Sequence, residues 1–435
     1  MVRSAFCALV TLLTTNPDRP GTTALLTCSE AHVRTIGQHR EAVEALLAPV
    51  LAGLGPQVRV VDDLATGAGV AHHVLAQSVV APVPLPSFDN SQMDGFAVRA
   101  SDAGRALRVG APVPAGTVPP ALEPDTAVPI MTGARIPDGA DAVFPVEATP
   151  PGAFPAALAL AAVTVPGDVV RGSYVRATGT DLPAGAELAA AGTRITPALL
   201  GALASAGVSE VQVVRPLRVL VVSTGSELQG VGAATIGDAN GIALRASLRE
   251  VGAESRSVVV PDDDVAFLRA VDDAVGDWAD VVLTTGGISA GAYEVVRQAL
   301  EPRGLAVTPV AMQPGGPQAL GSVSFAGRTV PVVSFPGNPV STLVSFEVFL
   351  RPVLARAVGL PDRPEAVLPA ADAASSPSGR HQVRRGRVED GRVHFVGGPS
   401  SHLLAHYVAA SHLVHVPVGV DSVAPGDPLT VWSIR

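Results

Sequence analysis

Between about residues 217 and 354 the chain alternates strand-length apolar runs with stretches of helical spacing. The runs 217–222, 257–260, 280–283 and 330–334 are dense in Val and Leu. Each is followed by a helix-like segment, at 241–251, 263–275, 293–300 and 341–354. Continuous apolar strands separated by helices predict a parallel sheet covered on both faces. Residues 79–165 have another texture. Short apolar runs such as Val79-Val80-Ala81, Ala127-Val128 and Ala142-Val143-Phe144 are broken by Pro and Gly, which predicts a small β domain. From about residue 364 the chain returns to short β runs with Gly and Pro turns, so a further β domain is expected. Val33, Ile36, Val43, Leu46 and Leu47 fall mostly at helical spacing and predict a helix opened by Ser29. A second helix is expected at 69–77. A third is expected at 196–206, with Pro197 in its first turn and Gly207 beyond its end. Residues 1–30 carry little pattern and read as a tail.

At 435 residues the chain has room for two to four domains. Its 44 Gly and 39 Pro fit a fold rich in turns and short strands. The net charge is −9 without any acidic or basic block, which argues against nucleic acid as a partner. All basic side chains other than His are Arg; the sequence has no Lys. That excludes a Walker-type phosphate loop, Schiff-base lysine catalysis and a pyridoxal phosphate anchor. An anionic ligand must then be held by Arg, backbone N–H groups or a metal. The two cysteines, Cys7 and Cys28, leave the body of the chain without a disulfide framework or thiolate metal site, in keeping with a cytoplasmic setting. The apolar run 5–13 lacks a following small-residue cleavage site, so export is not expected. No stretch reaches the ~18–20 uninterrupted apolar residues of a membrane span.

Three of the apolar strands run straight into loops of Gly and hydroxyl residues: Ser223-Thr224-Gly225-Ser226-Glu227, Thr285-Gly286-Gly287-Ile288-Ser289 and Pro336-Gly337-Asn338-Pro339-Val340-Ser341. In an open parallel sheet such loops emerge together at the carboxyl edge, where ligands bind. Glycines let backbone approach a ligand, and free N–H groups at the following helix starts suit phosphate or oxyanions. Thr224, Gly225, Gly286, Gly287, Ser289, Pro336, Gly337, Asn338, Pro339 and Ser341 are therefore candidates for holding an anionic cofactor or nucleotide. Glu227, Asp238 and Glu294 stand beside the same loops. Spacing fits two roles equally: oxygen ligands of Mg²⁺, or acids capping helix N-termini. Six histidines, from His381 to His415, lie after residue 380. With no Cys or HExxH context they read as surface or barrel-packing residues rather than a metal site.

The order of motifs is specific. The loop strings above, with Met312-Gln313-Pro314-Gly315, Phe88-Asp89-Asn90-Ser91-Gln92-Met93-Asp94-Gly95, Met131-Thr132-Gly133-Ala134 and Gly398-Pro399-Ser400-Ser401-His402, resemble the MoeA family of molybdopterin molybdenumtransferases, which is similar to the gephyrin E domain. The resemblance runs from about residue 31 to 435. It implies a multidomain α/β plus β architecture. A helical linker domain would be built from 31–85 and 165–214, with a β domain inserted at 86–164. A MogA-like three-layer α/β domain with a parallel-rich sheet would follow at 215–360 and bind molybdopterin, and a β-barrel would close the chain at 364–435. It further implies a homodimer with the active site at the subunit interface. The reaction would insert molybdate into adenylylated molybdopterin with Mg²⁺ and release AMP. By motif position, Asp94, Thr132, Glu227, Asp238 and Glu294 would be catalytic, the last three binding metal; Arg176 and Asp181 would approach the interface. Two other classes are a molybdopterin-binding carrier or scaffold with little catalysis, and a nucleotide-linked hydrolase of the CinA group. The motifs at 87–98 and 131–147 speak against the latter. This chain departs from the family at Ala292, where an acid is usual, and at Glu294, where Asp is usual. It also departs at Ala239, Ser226, Thr180 and Gly316. Weaker metal affinity and slow turnover are the expected result.

Overall fold

The computed structural model describes residues 33–66, 72–228, 235–289, 291 and 294–435. The tail at 1–30, Ser29 and Ala292 lie outside the described residues. A six-stranded sheet organises the largest part of the chain. Its order is Glu254–Val260, Arg218–Thr224, Val281–Thr285, Arg328–Phe335, Pro317–Phe325, Leu305–Pro309. The first four strands are parallel, and they are the Val-rich runs of the sequence. The Pro317–Phe325 strand, which the apolar pattern did not announce, is antiparallel to both of its neighbours, so the sheet is mixed. Its hairpin turns at Ala326 and Gly327, both at positive φ, without the Asn-Gly or Asp-Gly pair that marks such turns in a sequence. Gly321 lets this strand lie against Leu305–Pro309: a Cβ there would stand 2.4 Å from the Gly304 carbonyl oxygen.

Both faces of the sheet are covered, as continuous apolar strands require. One face packs on helices α1 (Ile36–Ala52) and α4 (Ala239–Glu250) and on the helical run from Pro339 to Ala357, around Val43, Leu47, Val221, Leu248 and Phe349. The other packs on α5 (Asp264–Val275) and α6 (Val295–Leu300), around Phe267, Val271, Val296 and Leu300. Helix α1 is capped not by Ser29 but by Thr35, whose hydroxyl and backbone N–H exchange hydrogen bonds with Gln38 in a capping box. The run expected as one helix at 341–354 is α7 (Pro339–Ser345), a π turn at Phe346–Leu350 and α8 (Arg351–Ala357).

The flanking segments build smaller cores. Helices α2 (Val61–Thr66) and α3 (Pro197–Ser205) pack with the antiparallel pair Pro56–Val60 and Glu210–Val214 around Leu64, Leu75, Leu203 and Val213. Thr196 caps α3 with Pro197 at its start. The helix expected at 69–77 is not found in its described part: Val74 bridges Arg194 and Leu75 bridges Val213 as extended backbone. Burial of Leu75 beside Val213 outweighs the local helical spacing of this stretch. Residues 90–176 hold a five-stranded sheet ordered Ala142–Pro145, Gly95–Val98, Thr126–Ile130, Ala106–Val109, Ala162–Thr164, with Phe96 stacked on Phe144 at 5.4 Å. At the end of the chain, His381–Glu389, His412–Val416, Pro428–Ser433 and Glu365–Pro369 follow one another in a sheet. Arg392–Phe395 pairs with His381–Glu389, and the Ala370–Val393 bridge closes the ring into a barrel. Met312–Gln313 adds to this barrel as a parallel strand beside His381 and Gln382.

Candidate functional site

Strand Arg218–Thr224 ends in a 3-10 turn at Ser226–Leu228, Val281–Thr285 ends in Gly286-Gly287, and Arg328–Phe335 ends in Pro336-Gly337. Because the three strands are parallel neighbours in register, their ends open on one edge and enclose a cleft of about 790 Å³. Every candidate from the three loops lines it: Thr224, Gly225, Glu227, Gly286, Gly287, Ser289, Pro336, Gly337, Asn338, Pro339 and Ser341. Asp238 and Glu294 line it too.

The loops are held from behind by hydroxyl groups. Thr342 Oγ1 donates to the Pro336 carbonyl at 2.7 Å and stands 3.2 Å from Thr285 Oγ1; Thr284 Oγ1 donates to Ser334 Oγ at 2.8 Å. From the front, Asn240 Nδ2 donates to the Gly337 carbonyl at 2.7 Å and to Thr285 Oγ1 at 3.0 Å, joining the start of α4 to the other two loops. Glycine suits the place where the loops meet. Gly286 and Gly287 have φ of 91° and 66°, and a Cβ on Gly337 would stand 3.2 Å from Gly286 Cα. Closeness at Gly337 thus serves loop against loop first.

The acids are less alike than their spacing. Asp238 caps α4, its Oδ1 accepting the Gly241 N–H at 2.8 Å. Glu294 turns back onto its own loop and accepts the N–H groups of Ser289 at 2.7 Å and Gly291 at 3.2 Å. Glu227 lies over Gly225, where a Cβ would meet its carboxylate at 2.7 Å. Among the described residues no three His, Cys, Asp or Glu side chains converge as a metal cage. The donor set is hard oxygen, which suits Mg²⁺ held by one or two carboxylates and completed by substrate phosphate and water. It does not make a ready three-carboxylate site of Glu227, Asp238 and Glu294.

Sequence reasoning missed part of the wall. Asp262 lines the cleft and accepts the Ser226 N–H at 2.9 Å; it sits in the run Asp262-Asp263-Asp264, where the sequence announced only the 263–275 helix. Gln313, Pro314 and Gly315 contribute one rim, and Pro399, Ser400 and Ser401 of the barrel another. The latter loop is anchored by the Val340 N–H, which donates to the Ser401 carbonyl at 3.0 Å, and by the buried Arg385, which holds the Gly398 and Ser400 carbonyls. Both segments belong to quoted motifs, which was the available signal. No Arg or His is among the described residues lining the cleft, which holds four carboxylates. Asp94 and Thr132 do not line it. They pair with each other in the five-stranded module, Asp94 Oδ1 accepting the Thr132 N–H at 2.7 Å and its hydroxyl at 2.9 Å.

Comparison with known proteins decides the family. A model of the MoeA N-terminal region, domains I and II, matches residues 34–207, and one of a probable molybdopterin-binding domain matches 220–356. The chain belongs to the MoeA family. It is 42% identical over 384 residues to molybdopterin molybdenumtransferase 2 of Mycobacterium tuberculosis, covering 83% of this chain and 92% of that one. It is 34% identical over 411 residues to the molybdopterin molybdenumtransferase of Synechococcus elongatus, covering 90% and 98%. Among solved structures, the molybdopterin biosynthesis MoeA protein of Pyrococcus horikoshii superposes with a TM-score of 0.72 at 26% identity, covering 93% of this chain and all of that one. The MoeA fold accounts for the three ordered modules around the α/β sheet. The cleft lies within the segment that the molybdopterin-binding model matches, apart from the barrel loop at 399–401.

Proposed function

We propose that this MoeA protein is a molybdopterin molybdenumtransferase: it takes adenylylated molybdopterin and molybdate, inserts the metal into the dithiolene and releases AMP. The observation that carries the reading is the cleft at the carboxyl edge of the sheet. Its three Gly loops are fixed from both sides and present backbone to an anionic ligand without any lysine. Thr224, Gly225, Gly286, Gly287, Ser289 and the 336–341 loop are the groups that hold the pterin phosphate or nucleotide. Glu227, and Asp238 through the carboxylate oxygen that does not cap α4, would hold Mg²⁺, which would supply charge neutralisation in a cleft whose charged side chains, among the described residues, are all carboxylates. Asp94 and Thr132 act from a second subunit. Their mutual bonding fixes the Asp94 carboxylate, and their placement outside the cleft of their own chain supports a shared site in a homodimer.

The test uses purified protein with adenylylated molybdopterin, molybdate and Mg²⁺, following AMP release. Release that depends on molybdate supports the reading. Tight binding of the pterin nucleotide without AMP release at saturating Mg²⁺ replaces it with a carrier role. For the shared site, inactive Asp94→Ala and Glu227→Ala proteins are mixed and allowed to exchange. Partial return of activity is expected; heterodimers without activity refute the shared site.

A further inference from the structure

The Gly-rich loop after Val281–Thr285 was expected to offer its N–H groups to a ligand. Two of them are already taken. Ser289 donates to Glu294 Oε2 at 2.7 Å and Gly291 to Glu294 Oε1 at 3.2 Å, so one carboxylate spans both donors. Contact is close, since a Cβ on Gly291 would stand 2.7 Å from Oε1. Backbone N–H groups that converge on one carboxylate form a nest that also suits phosphate oxygens. Ser289 and Glu294 both line the cleft, so the nest faces the space where substrate enters. The base of the loop is secured without Glu294. Gly286 N–H donates to the Phe335 carbonyl at 3.1 Å, and the Gly287 carbonyl accepts the Arg297 N–H at 2.9 Å. With no Arg or His lining the cleft among the described residues, the wall offers an anion neutral donors: backbone N–H groups beside Ser and Thr hydroxyls and Asn and Gln amides.

We propose that the N–H groups of Ser289 and Gly291 are the donors for a phosphate group of the substrate, and that Glu294 is an internal carboxylate that fills this nest until phosphate displaces it. Glu294 is then a positioning residue and a competitor, not a metal ligand. It keeps the donors aligned in the empty cleft and lowers the affinity for any phosphate that enters. Displacement also moves one negative charge away from the arriving one. This rests on the reading of the cleft as a pterin nucleotide site and specifies how that site handles its anion.

Calorimetry on the full chain at fixed ionic strength, with inorganic phosphate and with AMP as probes, tests it. Glu294→Ala should bind phosphate at least about fivefold more tightly than the unaltered protein, because the competitor is gone and the donors remain. Glu294→Gln should fall between the two, since the amide oxygen still accepts one N–H without the charge. Thermal melts accompany both. If Glu294→Ala melts far below the parent, Glu294→Gln, which keeps a loop contact, decides. Folded Glu294→Ala or Glu294→Gln proteins that bind phosphate no more tightly than the parent overturn the proposal. Should that happen while the parent still binds adenylylated molybdopterin, the function stands and only the nest assignment falls. A parent that binds no pterin nucleotide refutes the functional reading itself.

Discussion

His39 offers a measurable link between packing and pH. It is fully buried on α1, and its ring meets Phe349 edge-on at 4.6 Å. Neither ring nitrogen has a hydrogen-bond partner. Burial, with a smaller contribution from Arg34, pushes its pKa down from 6.5 to about 4. The folded state therefore holds the neutral ring, while the unfolded chain takes up a proton as pH falls through 6.5. Stability from this residue is fully present above about pH 6.5 and declines as pH falls towards 4, below which both states are protonated and the loss levels off. At about 1.4 kcal/mol per pKa unit, the interval amounts to about 3 kcal/mol in all. His39→Leu fills nearly the same space, removes two unsatisfied polar atoms and abolishes the proton uptake. Urea unfolding at pH 7.5, 6, 5 and 4.5 should show the parent losing about 2–3 kcal/mol more than His39→Leu across that range. The other low-pKa histidines, including His415 at about 3, are common to both proteins and cancel in the difference. Equal pH slopes for the two proteins would refute the burial argument.

Three further outcomes follow from the cleft and its supports. Asn240→Ala removes the bonds to Gly337 and Thr285, each worth about 0.5–1.5 kcal/mol, and should lower the melting temperature by a few degrees and, by loosening the two loops, weaken pterin nucleotide binding about 5- to 30-fold in calorimetry. Gly337→Ala needs only a few tenths of an ångström of give against Gly286 Cα at 3.2 Å and should be tolerated; Gly337→Val should part the two loops and lower affinity at least about tenfold, and unchanged affinity would remove this loop from the site. Gly95→Ala drives a Cβ to 2.1 Å from the Phe144 carbonyl oxygen between paired strands, so the five-stranded module should lose its cooperative thermal transition by circular dichroism.

Much of this molecule was legible in order along the chain. Val-rich runs followed at once by Gly and hydroxyl residues fixed the parallel strands and their carboxyl-edge loops, because strand burial and loop backbone freedom are both local properties. The helices expected at 196–206 and 263–275 were equally local, and the structure caps them with Thr196 and Asp263. Tertiary structure alone decided the rest. Whether 72–77 is helical depended on Val213, far along the chain, and α1 found its partners on the central sheet. The antiparallel Pro317–Phe325 strand took its place because Gly321 permits backbone contact that no periodicity reveals. In the cleft, spacing set Glu227, Asp238 and Glu294 beside the loops but could not say what each carboxylate would face. Asp238 had a helix start within reach and Glu294 two loop N–H groups, and a carboxylate that satisfies backbone donors is no longer equivalent to one left for metal. The barrel loop at Ser400 reached the wall only through the Val340 N–H, a contact between segments some sixty residues apart that folding had to bring together.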